Sequence, residues 1–352
     1  MSRTYASMTT LIVTKLQSSG TADYSVSEVD YQLEETLKEF SLYSPHIVPM
    51  VFRIESRTGY DVTGTASKLT DAVKGQFLAA DVGKVVHNIT DNTWAVVTAY
   101  DSTTVLSISA DIMDANEEYR IYNKECWNKK QIYLGDVPEN YQIDSVEYTI
   151  GNRRNFKRLD KVLEIDVDWV DDSDSTLDNL GNIDVLVRFQ KPHVLCQLTD
   201  TVGSLAATAA IAATAISGSS LQAAGTIEVG EEFTVTGHKS VYVVASGTTI
   251  ASNTAAWGIY PPLEAALGVA STAIIINFRA TSLTPELEDI FADMCAGQLA
   301  INKAPKYINT VVLGAPNAWQ NYAEWGERKY ANALAKLRRN TPPKTNKRYP
   351  TD

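Results

Sequence analysis

Residue types able to do chemistry gather in few places along this chain. The densest is the acidic run DVDWVDDSDSTLDNLGNID, residues 166–184, whose carboxylates could ligate a hard cation. A calcium loop of the EF-hand type places acids at alternate positions, glycine at the sixth and a bidentate glutamate at the twelfth. Counted from Asp172, those two positions are Leu177 and Ile183, so the run reads as a solvated connection between strands. His46, His87, His193 and His238 each stand alone, without an HExxH spacing. No GxSxG elbow, P-loop or GxGxxG occurs, and the Ser-rich stretch SLAATAAIAATAISGSS has no partner base. Cys126, Cys196 and Cys295 are odd in number and lack CxxC spacing, which suits reduced core residues. The NIT at Asn88 matches a glycosylation sequon, but without a secretory signal it is read as chance. No catalytic, metal or cofactor residue is therefore assigned, and an enzyme is not expected.

Two basic stretches remain as contact candidates. Arg153, Arg154, Lys157 and Arg158, in GNRRNFKR, are placed at a hairpin tip. From Gln320 onward, Arg328, Lys329, Lys336, Arg338, Arg339, Lys344, Lys347 and Arg348 face only three acids. That end carries +5 and the rest of the chain −16, within a net charge of −11. The overall negative charge argues against a surface that binds nucleic acid by neutralising phosphates. The final NTPPKTNKRYPTD has the composition of an extended tail that orders on a partner.

The elements that would carry these groups follow from periodicity. In SVSEVDYQLEETLKEFSL, Val26, Val29, Leu33, Leu37 and Phe40 form a helical stripe, and Ser25 with Glu28 makes a capping box. Pro45 and Pro49 end this helix. Residues 77–112 then read as a meander of about three strands with turns at TDNT and YDSTT. In LEIDVDW, Ile165, Val167 and Trp169 alternate with Glu164, Asp166 and Asp168. Ile183, Val185, Val187 and Phe189 would share the buried face of an antiparallel pair. The Ala-rich stretch is too short and too weakly apolar to cross a bilayer, and reads as a short helix opening a second β-rich block. Val82-Gly83 and Val229-Gly230 each precede an alternating strand, a hint of repeated modules. A later helix starts at Thr284 (N-cap) and Pro285, with Glu286, Glu288 and Asp289 in its first turns and an apolar face of Leu287, Ile290, Phe291, Met294 and Leu299. A last helix is expected over 317–339.

The fold class expected is α+β: terminal helices forming a small helical domain, an antiparallel sheet with a hairpin, and two inserted β-rich modules. Residues 1–60 and 279–340 are assigned to the helical core, 61–124 to the first β module and 125–198 to the central strands. The second insert takes 199–278, and 341–352 is the basic tail. MSRTYASMTTLIV lacks the form of a signal peptide, so a soluble, intracellularly made chain with no membrane contact is expected.

With these segments in view, IDSVEYTIGNRRNFKRL, VLEIDVDWV, NIDVLVRFQKPHVL and FRATSLTPELEDIFADMCAGQLAINK resemble the head-to-tail connector (adaptor, or neck) proteins of tailed bacteriophages. The insert FLAADVGKVVHNITDNTWAVVTAYDSTTVLSISADIMDANEEYRIYN is similar to a small β module common in phage virion proteins. The resemblance implies a structural virion protein at the head–tail junction: a homo-oligomeric ring of about twelve subunits, closed by symmetry. It would dock under the portal protein, extend the DNA channel without reading sequence, and receive the next neck or tail ring. The cationic C-terminal helix and tail would be the portal contact, and Glu164, Asp166 and Asp168 would suit a channel wall or a neighbouring subunit. The alternative is a tail-associated receptor- or carbohydrate-binding protein, which expects aromatics such as Trp94, Tyr100 and Trp257 to be exposed together.

Overall fold

A computed structural model describes residues 3–17, 24–168, 170, 183–268, 274–307 and 318–340 and shows an α+β protein. Helices α1 (Tyr5–Lys15) and α2 (Val26–Tyr43) lead into β1 (His46–Arg53). Next come β2 (Thr58–Tyr60), β3 (Lys68–Thr70), β4 (Val85–Asn88), β5 (Thr93–Ser102), β6 (Val105–Ile108) and β7 (Glu118–Tyr122). A further group is β8 (Gln131–Tyr133), β9 (Gln142–Glu147), β10 (Arg153–Leu159), β11 (Val162–Asp166) and β12 (Asp184–Lys191). The last strands are β13 (Thr201–Leu205), β14 (Ala215–Ser219), β15 (Ala224–Ile227), β16 (Glu232–Val235), β17 (Val241–Ser246), β18 (Thr248–Ala251), β19 (Ala255–Tyr260) and β20 (Ile275–Phe278). Helices α3 (Pro285–Lys303) and α4 (Ala318–Asn340) return to the start. Among the described residues no helix is long and apolar enough to cross a membrane.

The two chain ends share one core. The capping box at α2 is present: Glu28 N donates to Ser25 Oγ (3.3 Å) and Ser25 N donates to Glu28 Oε2 (2.9 Å). The stripe begins at Val29 instead of Val26, which faces solvent; Val29, Leu33 and Phe40 pack with Ile290, Phe291 and Met294 of α3. Thr284 caps α3 and Pro285 occupies its first turn, where a missing N–H costs nothing. Helix α1 was not anticipated. Its Thr- and Val-containing run has modest helix propensity, and the element is set by docking, with Met8 and Ile12 fully buried in the shared core. Helix α4 crosses α3 where Gly297 meets Gly326, each on the other's backbone.

All three β units are antiparallel. The central sheet has the order β1-β12-β9-β10-β11-β8. Residues 46–53, grouped above with the helical core, belong to this sheet: β1 pairs with β12 from His46↔Lys191 to Arg53↔Asp184. Val185, Val187 and Phe189 are fully buried beneath it, as their alternation requires, and Ile183 packs at its edge. Ile165 and Val167 point inward while Asp166 and Asp168 are exposed; Trp169 and residues 171–182, with most of the acidic run, lie outside the described residues.

The first β module has the order β2-β7-β4-β5-β6-β3, so residues 58–60 join it and the expected meander is β4, β5 and β6. Its two edges meet: Val62 N donates to Thr70 O (2.8 Å) and Thr70 N to Asp61 Oδ2 (2.7 Å). The second is a closed six-stranded barrel, β13-β14-β19-β17-β16-β20, with β15 and β18 as a separate ribbon. Residues 204–220 form no helix. They supply the end of β13 and all of β14, because the barrel can close only if that stretch donates to its neighbours. Phe233, Tyr242, Trp257 and Phe278 fill the barrel, with ring centroids 5.0–5.7 Å apart. The two Val-Gly steps prove to be one device used twice. Gly83 (φ +90°) and Gly230 (φ +93°) adopt a left-handed turn before β4 and β16, and their N–H groups donate to Val97 O and Val244 O, both at 2.9 Å.

Candidate functional site

The cationic residues divide by what they touch. On α4, Gly326, Ala333 and Leu337 form the buried stripe, and the 3.6-residue period turns Arg328 and Arg339 roughly away from it. Arg328 is 78% exposed and pairs with Glu324 at 3.0 Å, an i,i+4 contact of small net worth. Arg338 lies over the Tyr43 ring at 6.0 Å, and Arg339 is exposed. Lys329 and Lys336 lie towards the helical unit, Lys329 largely covered and Lys336 still 55% exposed. Their ammonium groups lie 3.2 and 3.6 Å from Asp293, which also takes Lys15 at 2.7 Å. Burial would raise the Asp293 carboxyl, but these cations hold it below its ordinary value. Lys344, Lys347 and Arg348 lie outside the described residues.

The second basic set is not at a hairpin tip. The tip is the turn at 149–152, and Arg153, Arg154, Lys157 and Arg158 run along β10, the strand between β9 and β11. Arg154 Nε donates to Tyr148 O (2.7 Å), Arg158 Nη1 donates to Tyr141 O (3.3 Å), and Lys157 sits opposite Glu164 of β11. Alternation along β10 offers its long side chains to both faces, so no single cationic patch forms there. The expected aromatic trio is likewise split. Trp257 is buried in the barrel, whereas Trp94 of the first module stacks on His87 (3.8 Å) and meets Trp127, which lies just beyond that module and is 56% exposed.

Two buried ionic groups were missed. Arg57, just before β2, donates to both Glu55 oxygens (2.9 Å each), to Asp81 Oδ1 (2.5 Å) and to Gln76 O (2.5 Å). Lys84 adds contacts of 2.6 Å to Glu55 and 2.9 Å to Asp81. Burial alone would raise the Glu55 carboxyl; Arg57 and Lys84 pull it well below the carboxylate range. This network joins the central sheet's exit to the first module.

The second lies where helices, sheet and barrel meet. Glu232 of β16 accepts from Lys191 Nζ (2.5 Å) and lies 2.8 Å from His46 Nε2, while the His46 and His193 rings are 5.4 Å apart. The histidines are therefore not isolated. His46 and Glu232 are 186 residues apart, so no local spacing could have signalled them. Burial works against the Glu232 carboxylate, but His46 and Lys191 bring its pKa down to about 2. Burial lowers His193 to about 4. His193 Nδ1 lies 2.9 Å from Ser282 Oγ, and its backbone N–H donates to Ser41 Oγ at 2.9 Å. Among the described residues no group of three or more His, Cys, Asp or Glu could hold a metal ion. The arrangement is a strut between units.

Beside it, Glu231 is buried with neither carboxyl oxygen hydrogen-bonded, and burial raises its pKa to about 7 from 4.5. The folded chain thus favours the protonated acid and gives up stability as pH rises from 4.5 to 7. Above that window the loss amounts to about 3 kcal/mol. Glu231→Gln is expected to stabilise the chain at pH 8.5 by roughly that amount and to change little at pH 4.5. Urea unfolding at the two pH values measures this, and an equal effect at both would exclude a titrating Glu231. No family model matches the chain, and neither a curated protein nor a solved structure matches it.

Proposed function

We propose that the chain is a structural subunit of the neck of a tailed bacteriophage, a ring-forming head-to-tail adaptor that docks beneath the portal and continues the DNA channel. The observation that carries this reading is the architecture. Both chain ends build one helical unit from which a sheet and two β modules are strung, and the last helix carries Arg328 and Arg339 on its outer side with Arg338 exposed at its flank beside Tyr43. The buried charged clusters are spent on holding units together, so recognition falls to surfaces. Ring closure would bury the same patches on every subunit.

The test uses the full chain, imaged by negative-stain electron microscopy and weighed by mass photometry, with and without portal. Rings that cap the portal are expected. Reversing Arg328, Arg338 and Arg339 to Glu is expected to weaken attachment at least roughly tenfold at low salt, the difference shrinking as ionic strength rises. A chain that stays monomeric in every condition, or attachment indifferent to these charges and to salt, would overturn the proposal.

The paired Trp94 and Trp127 favour a second reading, in which the first module contacts a glycan on the host or on a decorating surface. Loss of glycan-array binding in Trp127→Ala, with rings intact, would support it. An array without signal for the unaltered chain would remove it.

A further inference from the structure

The two β modules are one topology used twice. Read around the barrel from β13, the strand order is β13-β20-β16-β17-β19-β14; read around the first module from β2, it is β2-β7-β4-β5-β6-β3. The matched strands also follow one another in the same order along the chain, with β15 and β18 as an addition to the barrel. The registers match as well. Val86 stands opposite Ala95 and Ile121, and Phe233 opposite Tyr242 and Phe278. A step in register follows Val97 in β5 and Val244 in β17, and the glycine turns at Gly83 and Gly230 precede the matched strands β4 and β16.

This equivalence makes the barrel a control for the first module: what the topology needs should recur, and what it does not need is free to differ. One row stands out. Thr58, Arg120, His87 and Trp94 lie directly opposite one another across β2, β7, β4 and β5, so they share a face, and strand spacing makes the row about 14 Å long. It is the outer face, since the alternate residues Val86, Ala95 and Ile121 fill the module's core. His87 stacks on Trp94 (3.8 Å), and Trp94 meets the exposed Trp127 edge to face (5.2 Å). In the barrel the same row is Val202, Asn277, Thr234 and Val241, without a ring among them, and Val241 packs on the core beneath the central sheet. The rings are therefore not what closes such a module. In the first module they stay at the surface, with His87, Trp94 and Arg120 half-buried.

Charge narrows the ligand. Glu118 lies two residues from Arg120 on β7 and shares its face, and Lys124 and Glu125, both exposed just before Trp127, repeat the balance. A polyanion therefore gains little along this row. What the row offers is ring surface flanked by planar polar groups: Arg120, Glu118 and His87, whose Nε2 lies 3.0 Å from Asn92 Oδ1. A sugar ring suits both, with C–H groups on its faces to pack on an aromatic ring and hydroxyls at its rim to exchange hydrogen bonds.

Resting on the glycan reading above, we propose that the outer face of the first β module binds an uncharged sugar chain, one ring stacked on Trp127 and the hydroxyls of its neighbours taken along the row by His87, Arg120 and Glu118, a role the matching face of the barrel lacks.

An array carrying neutral glycans beside sialylated and uronate-bearing ones is the probe for the full chain. Isothermal titration calorimetry with the neutral oligosaccharide of strongest signal then measures the variants. Signal on neutral glycans is expected. Binding should weaken roughly 3–10-fold in Arg120→Gln and at least roughly tenfold in Trp127→Ala. Asn277→Ala, at the matching position of the barrel, should leave it unchanged. Selection of neutral over acidic glycans by the unaltered chain needs no variant, and decides the matter even where Arg120→Gln lowers the thermal midpoint. Signal as strong on acidic as on neutral glycans, or Arg120→Gln binding as the unaltered chain does, would overturn the proposal and leave the glycan reading standing. Equal losses in Asn277→Ala and Arg120→Gln would overturn it too, and a silent array would remove both.

Discussion

Arg57→Met is expected to destabilise the chain by about 3–5 kcal/mol, the usual result of removing one partner from a buried ion pair. Arg57 is 3% exposed and gives every polar hydrogen of its head that faces Glu55, Asp81 or Gln76 to a buried acceptor. Methionine fills most of the volume, so the loss is electrostatic. Glu55 and Asp81 would be left sharing Lys84 alone, two buried carboxylates against one ammonium. The effect should be local first. The network sits on the passage into the first module, so cleavage by trypsin within residues 57–123 should rise before the helical unit unfolds. A compensating change separates charge from packing. In Glu55→Leu with Arg57→Met, Asp81 keeps Lys84 as its partner, and about half or more of the loss should return, since an apolar replacement of a buried pair is often near neutral. Urea denaturation of the single and double variants measures both. A single variant within about 1 kcal/mol of the unaltered chain would mean that solvent reaches these carboxylates.

The contrast between such networks and the helix ends marks how much of this protein can be read from its sequence. Ser25 with Glu28, and Thr284 with Pro285, are signals contained within four residues, and both appear in the structure as hydrogen-bonded caps. Alternation in β12 was legible for the same reason: Val185, Val187 and Phe189 report on one sheet face whatever lies beyond it. The repeated Val-Gly step was legible because a left-handed turn selects glycine. What was not legible depends on partners far away in the chain. Residues 201–205 and 215–219 carry no strong strand pattern of their own; they are strands because β19 and β20 need edges covered. Helix α1 is a helix because α3 offers it a groove. The cationic residues of α4 read alike in sequence, yet Asp293 on α3 separates Lys329 and Lys336 from Arg328 and Arg339. The junction of His46, Lys191, His193 and Glu232 exists only through tertiary assembly, so composition and spacing could not announce it.

The same dependence on assembly makes the crossing of α3 and α4 a second sensitive point. Gly326→Ala would ordinarily favour a helix, by about 1 kcal/mol. Here a Cβ on residue 326 would stand 2.7 Å from Gly297 O and 3.0 Å from the Ala300 Cβ and Ile301 Cγ1. One of these is backbone and none is the free end of a long side chain, so the helices must part. Overpacking of this kind costs about 1–3 kcal/mol and is expected to outweigh the gain in propensity. Gly326→Leu should go further and loosen α4, because the larger side chain has no space between the two backbones at the crossing. What then still holds α4 is the burial of Ala333 and Leu337 in the shared core, Arg338 over the Tyr43 ring, the Tyr24–Tyr322 hydroxyl pair, the hydrogen bond from Tyr330 to Glu39, and the ion pairs to Asp293. Hydrogen exchange of residues 318–340 should quicken by at least roughly tenfold in the leucine variant while β12 and β16 keep their protection. The adaptor reading makes a linked prediction. A loosened α4 no longer presents Arg328, Arg338 and Arg339 as one rigid surface, so portal attachment should fall even though every cation is still present. Faster exchange with attachment unchanged would separate the helix from the docking role; a more stable Gly326→Ala would show that the two backbones do not meet.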